Sequence, residues 1–398
     1  MFGVGLGIGL CIAGLGALGS AAALGAFEWQ YRQRPGNALD ITPGVWDLEE
    51  ISPSHRRLVG NLDLVNRTRR LEIMVPELTV KTKLFSKGSL DGVFWRTHTE
   101  ANHADLPNRA DGYWFAYIVK VAKTTQITVT IDIEGDPAAL AQLQSVWLRV
   151  EYVTYGPEGR IPKTHHGVVP LNYPDRQDPP PPLTWKQYGK AEVLPVPTHI
   201  LTPIDDPVAV VQRYVQPHAQ AGDIVTLGET PVAIMQGRFR HPTTIKPGWV
   251  ARRVCYYFLP TSSLATACGM QTLVDVVGPV RVMFAFLGGI VLRLLGTRGG
   301  FYILAGEQAR LIDDVTGTLP PYDQFIVLGP ADPQGVVDRV QKETGLACAI
   351  VDVNDLGAVK ILASSSGVSD AVLTEALMSN PAGNADEQTP VVLVRPQL

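Results

Sequence analysis

Four consecutive prolines at 179–182, with Pro174 just ahead of them, limit this chain more than any other feature. Proline fixes φ and offers no backbone N–H, so a segment over 174–185 enters neither a helix interior nor a central strand. Such a run is an extended, semi-rigid spacer, although the same composition also suits recognition by an aromatic groove. The 398 residues are more than one ordinary core serves, so the spacer divides two folded parts. With 45% hydrophobic and 18% charged residues the chain is no disordered polymer. A net charge of −4 without a basic run disfavours nucleic acid and leaves small molecules or protein as partners. Cys11, Cys255, Cys268 and Cys348 are scattered, which excludes a dense disulfide framework and fits a reducing compartment. The histidines show no zinc spacing, and His165-His166 is read as a polar loop.

Residues 1–27 contain no charged side chain and as a helix would reach about 40 Å, enough to cross a bilayer with tilt. The expectation is a transmembrane anchor over 1–27. A cleaved signal peptide is the competitor, since Ala21, Ala22 and Ala23 offer a cleavage point; the missing basic residues ahead of the apolar stretch, and its length, oppose it. Gly3, Gly5, Gly7 and Gly9 provide small-xxx-small spacing that permits helix contact or simply faces lipid. Arg32 and Arg34 follow the span, placing a single-pass protein's soluble domains on the cytoplasmic side.

Over 45–173, runs rich in Val, Ile, Thr, Tyr and Trp recur at 58–65, 71–84, 113–121, 126–133 and 146–155, which predicts an antiparallel all-β sandwich. Residues 127–133 alternate strictly, as a half-buried strand must. Residues 58–66 resemble the opening of the immunoglobulin-like sandwiches of late-embryogenesis-abundant type. His98, Glu100, His103 and Asp105 read as a solvated loop rather than a metal cluster, and Asn66-Arg67-Thr68 is a glycosylation sequon by pattern only.

From 186 to 398, short apolar strands alternate with helical stretches, predicting an α/β or α+β domain of enzyme size. The apolar run 280–295 carries Arg281 and Arg293, breaks at Gly288-Gly289 and is short for a span, so it reads as a buried helix, with an interfacial helix as runner-up. Two acidic clusters stand out: Asp313-Asp314, and Asp352 through Asn354 and Asp355 after an apolar strand. Carboxylates at strand ends suit a Mg²⁺ or Mn²⁺ shared with nucleotide phosphate, and equally suit turns; periodicity does not choose.

Six short motifs now fall in order: Asp205-Asp206-Pro207, Ala221-Gly222-Asp223, Gln236-Gly237-Arg238, Lys246-Pro247-Gly248-Trp249, Leu328-Gly329-Pro330-Ala331-Asp332-Pro333, and Asp352 onward. Together they resemble a divergent branch of the coenzyme F420-0:γ-glutamyl ligase family, over about the last 200 residues. That resemblance implies an α+β homodimer joining L-glutamate to a small-molecule carboxylate acceptor, using GTP and Mn²⁺ or Mg²⁺, through an acyl phosphate. It implies metal carboxylates at Asp313 and Asp352, with Asp314 and Asp355 beside them, and nucleotide contacts at Gly237, Arg238, Lys246 and Lys360. No GxxxxGK[ST] loop is present to bind nucleotide instead.

The departures are specific. Ile234 stands where relatives carry Lys, Asp314-Val315-Thr316 replaces the usual continuation after the metal Asp, and Lys360 is the only basic residue where arginines normally follow Asp352. Three expectations therefore stand: a membrane-anchored F420-type γ-glutamyl ligase, a γ-glutamyl ligase on another acceptor such as a folate, and a non-catalytic membrane-anchored scaffold or binding protein.

Overall fold

The structure is a computed structural model that describes the chain apart from residues 1–18, 30–38, 69–70, 108, 110, 157–158, 178–179, 315–318, 354–356, 384–386 and 398. Most of the segment expected to anchor the chain, 1–27, therefore lies outside the described residues. A helix α1 covers 19–29, and among the described residues no single helix is long and apolar enough to cross a membrane.

The first part is an immunoglobulin-like β-sandwich. Its strands are β1 (Leu39–Ile41), β2 (Val45–Ser52), β3 (His55–Asn66), β4 (Ile73–Ser86), β5 (Phe94–Asn102), β6 (Tyr117–Val119), β7 (Thr124–Glu134), β8 (Leu143–Gly156) and β9 (Gly159–Pro170). A short helix α2 (Pro137–Ala141) joins β7 to β8. One antiparallel sheet runs β1-β3-β7-β5 with β2 also on β3, and the other runs β6-β4-β8-β9. The alternation in β7 explains why the sheets close on each other: Ile127, Val129, Ile131 and Ile133 are all fully buried, and the residues between them face outward. On the inner face, in line with Leu58 and Leu62, Gly60 sits opposite Trp46, and a Cβ at Gly60 would lie 2.2 Å from the indole. The glycine is the seat of the ring.

Three sequence expectations change here. His98 and Glu100 lie in strand β5, bonded to each other at 3.2 Å, because half-buried Thr97, Thr99 and Ala101 alternate there with exposed Arg96, His98 and Glu100. His103 is buried, stacked on Tyr117 at 3.8 Å and bonded to Thr125 at 2.8 Å. His165-His166 belongs to β9 rather than a loop. The sequon has a structural role: Asn66 is buried, donates to the carbonyls of Leu71 and Val119, and accepts from the Thr68 N–H.

The second part holds mixed α+β structure. Its strands are β10 (Lys186–Tyr188), β11 (Ala191–Val196), β12 (Ile224–Gly228), β13 (Phe239–Arg240), β14 (Asp313–Asp314), β15 (Ile326–Val327), β16 (Ala347–Val353), β17 (Val359–Ser364) and β18 (Val391–Pro396). The helices are α3 (Pro207–Val210), α4 (Glu229–Met235), α5 (Trp249–Val254), α6 (Ala267–Val277), α7 (Pro279–Leu294), α8 (Gly300–Ala305), α9 (Pro333–Thr344) and α10 (Asp370–Leu377). A six-stranded sheet has the order β10-β11-β18-β12-β16-β17, in which β12 and β16 are parallel and the other pairs antiparallel. Both faces are covered, so β18 is apolar at every step from Val391 to Val394: Val391 and Leu393 face α3 and α9, whereas Val392 and Val394 face α10.

Helices α5 to α8 form a separate core around Met270, Leu273, Val282 and Phe301. Within it α7 departs from the buried helix expected over 280–295, because only Val282 and Ala285 are buried. The small residues at Gly288 and Gly289 let α8 cross closely, with Phe301 N within 2.8 Å of where a Gly289 Cβ would stand.

The two parts meet through aromatic rings. Trp147 donates its indole N–H to His166 at 3.2 Å, His166 stacks on His241 at 4.5 Å, and Phe325 packs edge-on against both His166 and His241. Burial pushes His165 down to about 4 and His166 to about 3, so both are neutral at neutral pH. Beside the proline run, Tyr173 lies between the Arg176 and Arg213 guanidinium groups, each 4.8 Å from its ring, and Arg213 pairs with Asp175.

Candidate functional site

The parallel pair β12 and β16 sets the geometry. Gly228 is in register with Val351, so the residues that follow, Glu229 at the start of α4 and Asp352 near the end of β16, stand side by side at the carboxyl end of the sheet. That end is where open α/β sheets place their sites, because the chain must turn away there and leaves a crevice. Asp313 reaches the same crevice from another direction: β14 pairs with β15, bringing Asp313 opposite Val327. The three acids line a cavity of about 370 Å³ with Thr230, Tyr322 and Asn380.

The three carboxylates feel one another. Burial first, then the charges of Asp352 and Asp313, push Glu229 up to about 8. Asp313 keeps exposed surface toward the crevice, yet the protein crowded around it and the charge of Asp352 raise it to about 6. Lys360 sits in register opposite Asp352 on β17, opposes the upward shift of Glu229, and pairs with Glu307 at 3.4 Å.

On the rim, His199 is fixed at both ring nitrogens, by Asp205 at 2.9 Å and by the Tyr214 hydroxyl at 2.6 Å. With both nitrogens engaged, this histidine shapes the wall.

Of the residues expected to bind metal or nucleotide, Asp313, Asp352 and Lys360 come together. Asp314 is paired backbone to backbone with Ile326 on β15, and Asp355 lies outside the described residues. Arg238 turns away, donating to the Gly329 carbonyl at 2.6 Å and to Gln308 at 3.2 Å. Gly237 borders a different cavity, at the contact between the two parts, and Lys246 is exposed ahead of α5.

Other motif residues are structural. Asp206 caps α3 and pairs with Arg339, Asp223 pairs with Arg395 at 2.8 Å, and Gln236 holds both the N–H and the carbonyl of Ala331. Glu229 is the acid that sequence reasoning passed over. Its signal was the same as for Asp352, a carboxylate immediately after an apolar strand.

Three hard-oxygen side chains whose ionised forms repel one another suit a divalent cation that neutralises them. Among the described residues, however, no three His, Cys, Asp or Glu side chains are grouped so as to hold a metal by themselves. A cation here would therefore draw part of its shell from water or from phosphate oxygens, as Mg²⁺ commonly does.

Residues 40–173 match the sequence family described as "F420-0:gamma-glutamyl ligase, N-terminal Ig-like domain". The match covers the sandwich and stops short of the crevice. The match supports that family for this segment and lends no support to the late-embryogenesis-abundant resemblance. No curated protein matches the chain. Among solved structures, the chain is similar to the GAE domain of yeast GGA1, at 13% identity and TM-score 0.22, over 35% of this chain and 94% of that one. It is also similar to the GAE domain of GGA2p from Saccharomyces cerevisiae, at 9% identity and TM-score 0.20, over 34% of this chain and 99% of the other. A protein from Archaeoglobus fulgidus aligns at 11% identity and TM-score 0.17, over 33% of this chain and 95% of that one.

Proposed function

We propose that the second part is a γ-glutamyl ligase domain that joins the amine of L-glutamate to a carboxylate acceptor, using GTP and Mn²⁺ or Mg²⁺. The observation that carries this reading is the convergence of Glu229, Asp313 and Asp352 on one crevice at the carboxyl end of β12 and β16. Two lines support it independently: the ordered motifs of the second part resemble the F420-0:γ-glutamyl ligase family, and the sandwich matches that family's N-terminal Ig-like domain. A divalent cation bound there would offset the charge that builds up as a phosphoryl group passes to a carboxylate. Glu229, Asp313 and Asp352 would hold it, and Lys360 would contact a phosphate or the acceptor's carboxylate.

A non-catalytic binding protein is the second reading. It is favoured by the engagement of Arg238 with Gly329 and Gln308, away from the crevice, which leaves the site poor in cations.

Mass spectrometry separates these. Full chain incubated with F420-0, L-glutamate, GTP and Mn²⁺ should add one glutamate residue to F420-0. Metal-dependent GTP binding without that product redirects the search to other acceptors such as folates, and absence of nucleotide binding leaves the binding-protein reading.

A further inference from the structure

Helix α7 has two opposite faces. Val282, Ala285 and Gly289 face the α5–α8 core, while Val280, Phe284, Leu287, Val291 and Leu294 point away at helical spacing. Of these, Val280 is 81%, Phe284 64% and Leu294 83% exposed. The apolar surface continues beyond α7. The Tyr257 ring lies 4.9 Å from that of Phe286, and Trp249, Tyr256 and Leu259 are themselves exposed. On α5 and the turn after it, Trp249, Arg252, Arg253 and Tyr256 share one stripe and line an open groove of about 540 Å³.

The charge of this region differs from that of the chain. Residues 245–306 hold six basic side chains, Lys246, Arg252, Arg253, Arg281, Arg293 and Arg298, all exposed, and a single acid, Asp275, which pairs with Arg240. The whole chain has a net charge of −4. Arg281 falls on a flank of α7, where its Nε donates to the Leu304 carbonyl at 3.2 Å, and Arg293 is exposed in the last turn; long basic side chains reach headgroups while their stems cover apolar surface.

We propose that the α5–α8 region docks in the plane of an anionic lipid surface, with the outer face of α7 seated in the acyl boundary. The arginines, Trp249 and the exposed tyrosines would lie at headgroup level. The 16 residues of α7 reach about 24 Å, short of a bilayer's hydrocarbon thickness, and the α6–α7 pair is bent by 112°, so the helix lies along the surface and does not span it. Aromatic residues beside basic ones are the composition of that interface. A second copy of this chain is the poorer occupant: two-fold pairing through this face would set arginine-rich surfaces against each other with Asp275 as the only local acid. This inference uses none of the crevice residues and stands whether or not the ligase reading does.

Hydrogen–deuterium exchange on the full chain, reconstituted in phosphatidylcholine vesicles with or without phosphatidylglycerol, tests it segment by segment. Slower exchange over 279–294 only in the anionic vesicles, reversed by high salt, is the expected result. Losing Arg252 and Arg253 to alanine should weaken docking by about fivefold each. The variant Phe284→Glu/Leu287→Glu/Val291→Glu changes exposed positions, so it should keep the parent's circular dichroism and lose the protection. Equal exchange in both vesicle types overturns the proposal. So does protection that appears without lipid as protein concentration rises, which would assign the face to a second copy.

Discussion

Replacing Glu229 with Gln removes one charge from the crevice while keeping the side chain's shape, and its effect on stability should depend on pH in a particular direction. The native carboxyl titrates near 8 and its unfolded counterpart near 4.5, so between those values the native state binds more protons than the unfolded one. Stability must therefore fall as pH rises through this window: the penalty is absent below about 4.5 and complete above about 8. The full displacement corresponds to about 5 kcal/mol. Water reaches the crevice and the three acids relax together, so about 2 to 3 kcal/mol is the working magnitude. The substitution should then raise the melting temperature of the second part by about 5 to 10 °C at pH 8.5 in chelator and change it little at pH 5. Thermal unfolding of full-length wild type and variant at both pH values measures this directly. Added Mn²⁺ should reverse the order at pH 8.5, because the wild type has more charge to neutralise. An equal effect at both pH values, or destabilisation at pH 8.5 in chelator, would refute the account of Glu229 as a carboxyl held against its neighbours.

Other sites yield similarly concrete expectations. His166 is neutral near pH 7 and lowered to about 3, so the unfolded state binds the extra proton between about 6.5 and 3 and the contact between the two parts weakens as pH falls through that range. His166→Phe should flatten this acid sensitivity by about 1 to 2 kcal/mol at pH 5, read from urea unfolding. Phe325→Ala, at the centre of the same aromatic cluster, should cost about 3 to 5 kcal/mol and expose the contact to limited proteolysis. Gly60→Ala should displace the Trp46 ring and cost about 1 to 3 kcal/mol, with a shift in tryptophan emission. A Gly60→Ala protein with unchanged emission would contradict the packing of that ring.

The sandwich was legible because its strands alternate: Ile127 to Ile133 carry their own burial pattern, and each long strand has a turn signal at both ends. Asp352 was legible as an acid near the end of an apolar strand, and Asp313 as an acid directly after the apolar Leu311-Ile312. Glu229 obeys the same rule, but it also opens a helix, where an acid attracts no notice. What sequence did not reveal depended on partners far along the chain. His166 is polar by composition yet half-buried, because His241 and Phe325 from the second part close over it. The outer face of α7 shows the converse: counting apolar residues over 280–295 predicts burial, whereas the small number of neighbours touching the helix decides exposure. The motif residues Asp206, Asp223 and Arg238 carry bonds that hold loops, so their order along the chain reports the fold as much as the chemistry.

The claim that Glu229, Asp313 and Asp352 form a cation-assisted nucleotide site is tested most directly by calorimetric titration of the full chain with GTP, with and without Mn²⁺, alongside Asp313→Ala/Asp352→Ala. The account predicts GTP binding that requires Mn²⁺ in the wild type and falls at least about tenfold in the double variant. Equal GTP and Mn²⁺ affinities in the two proteins would contradict it.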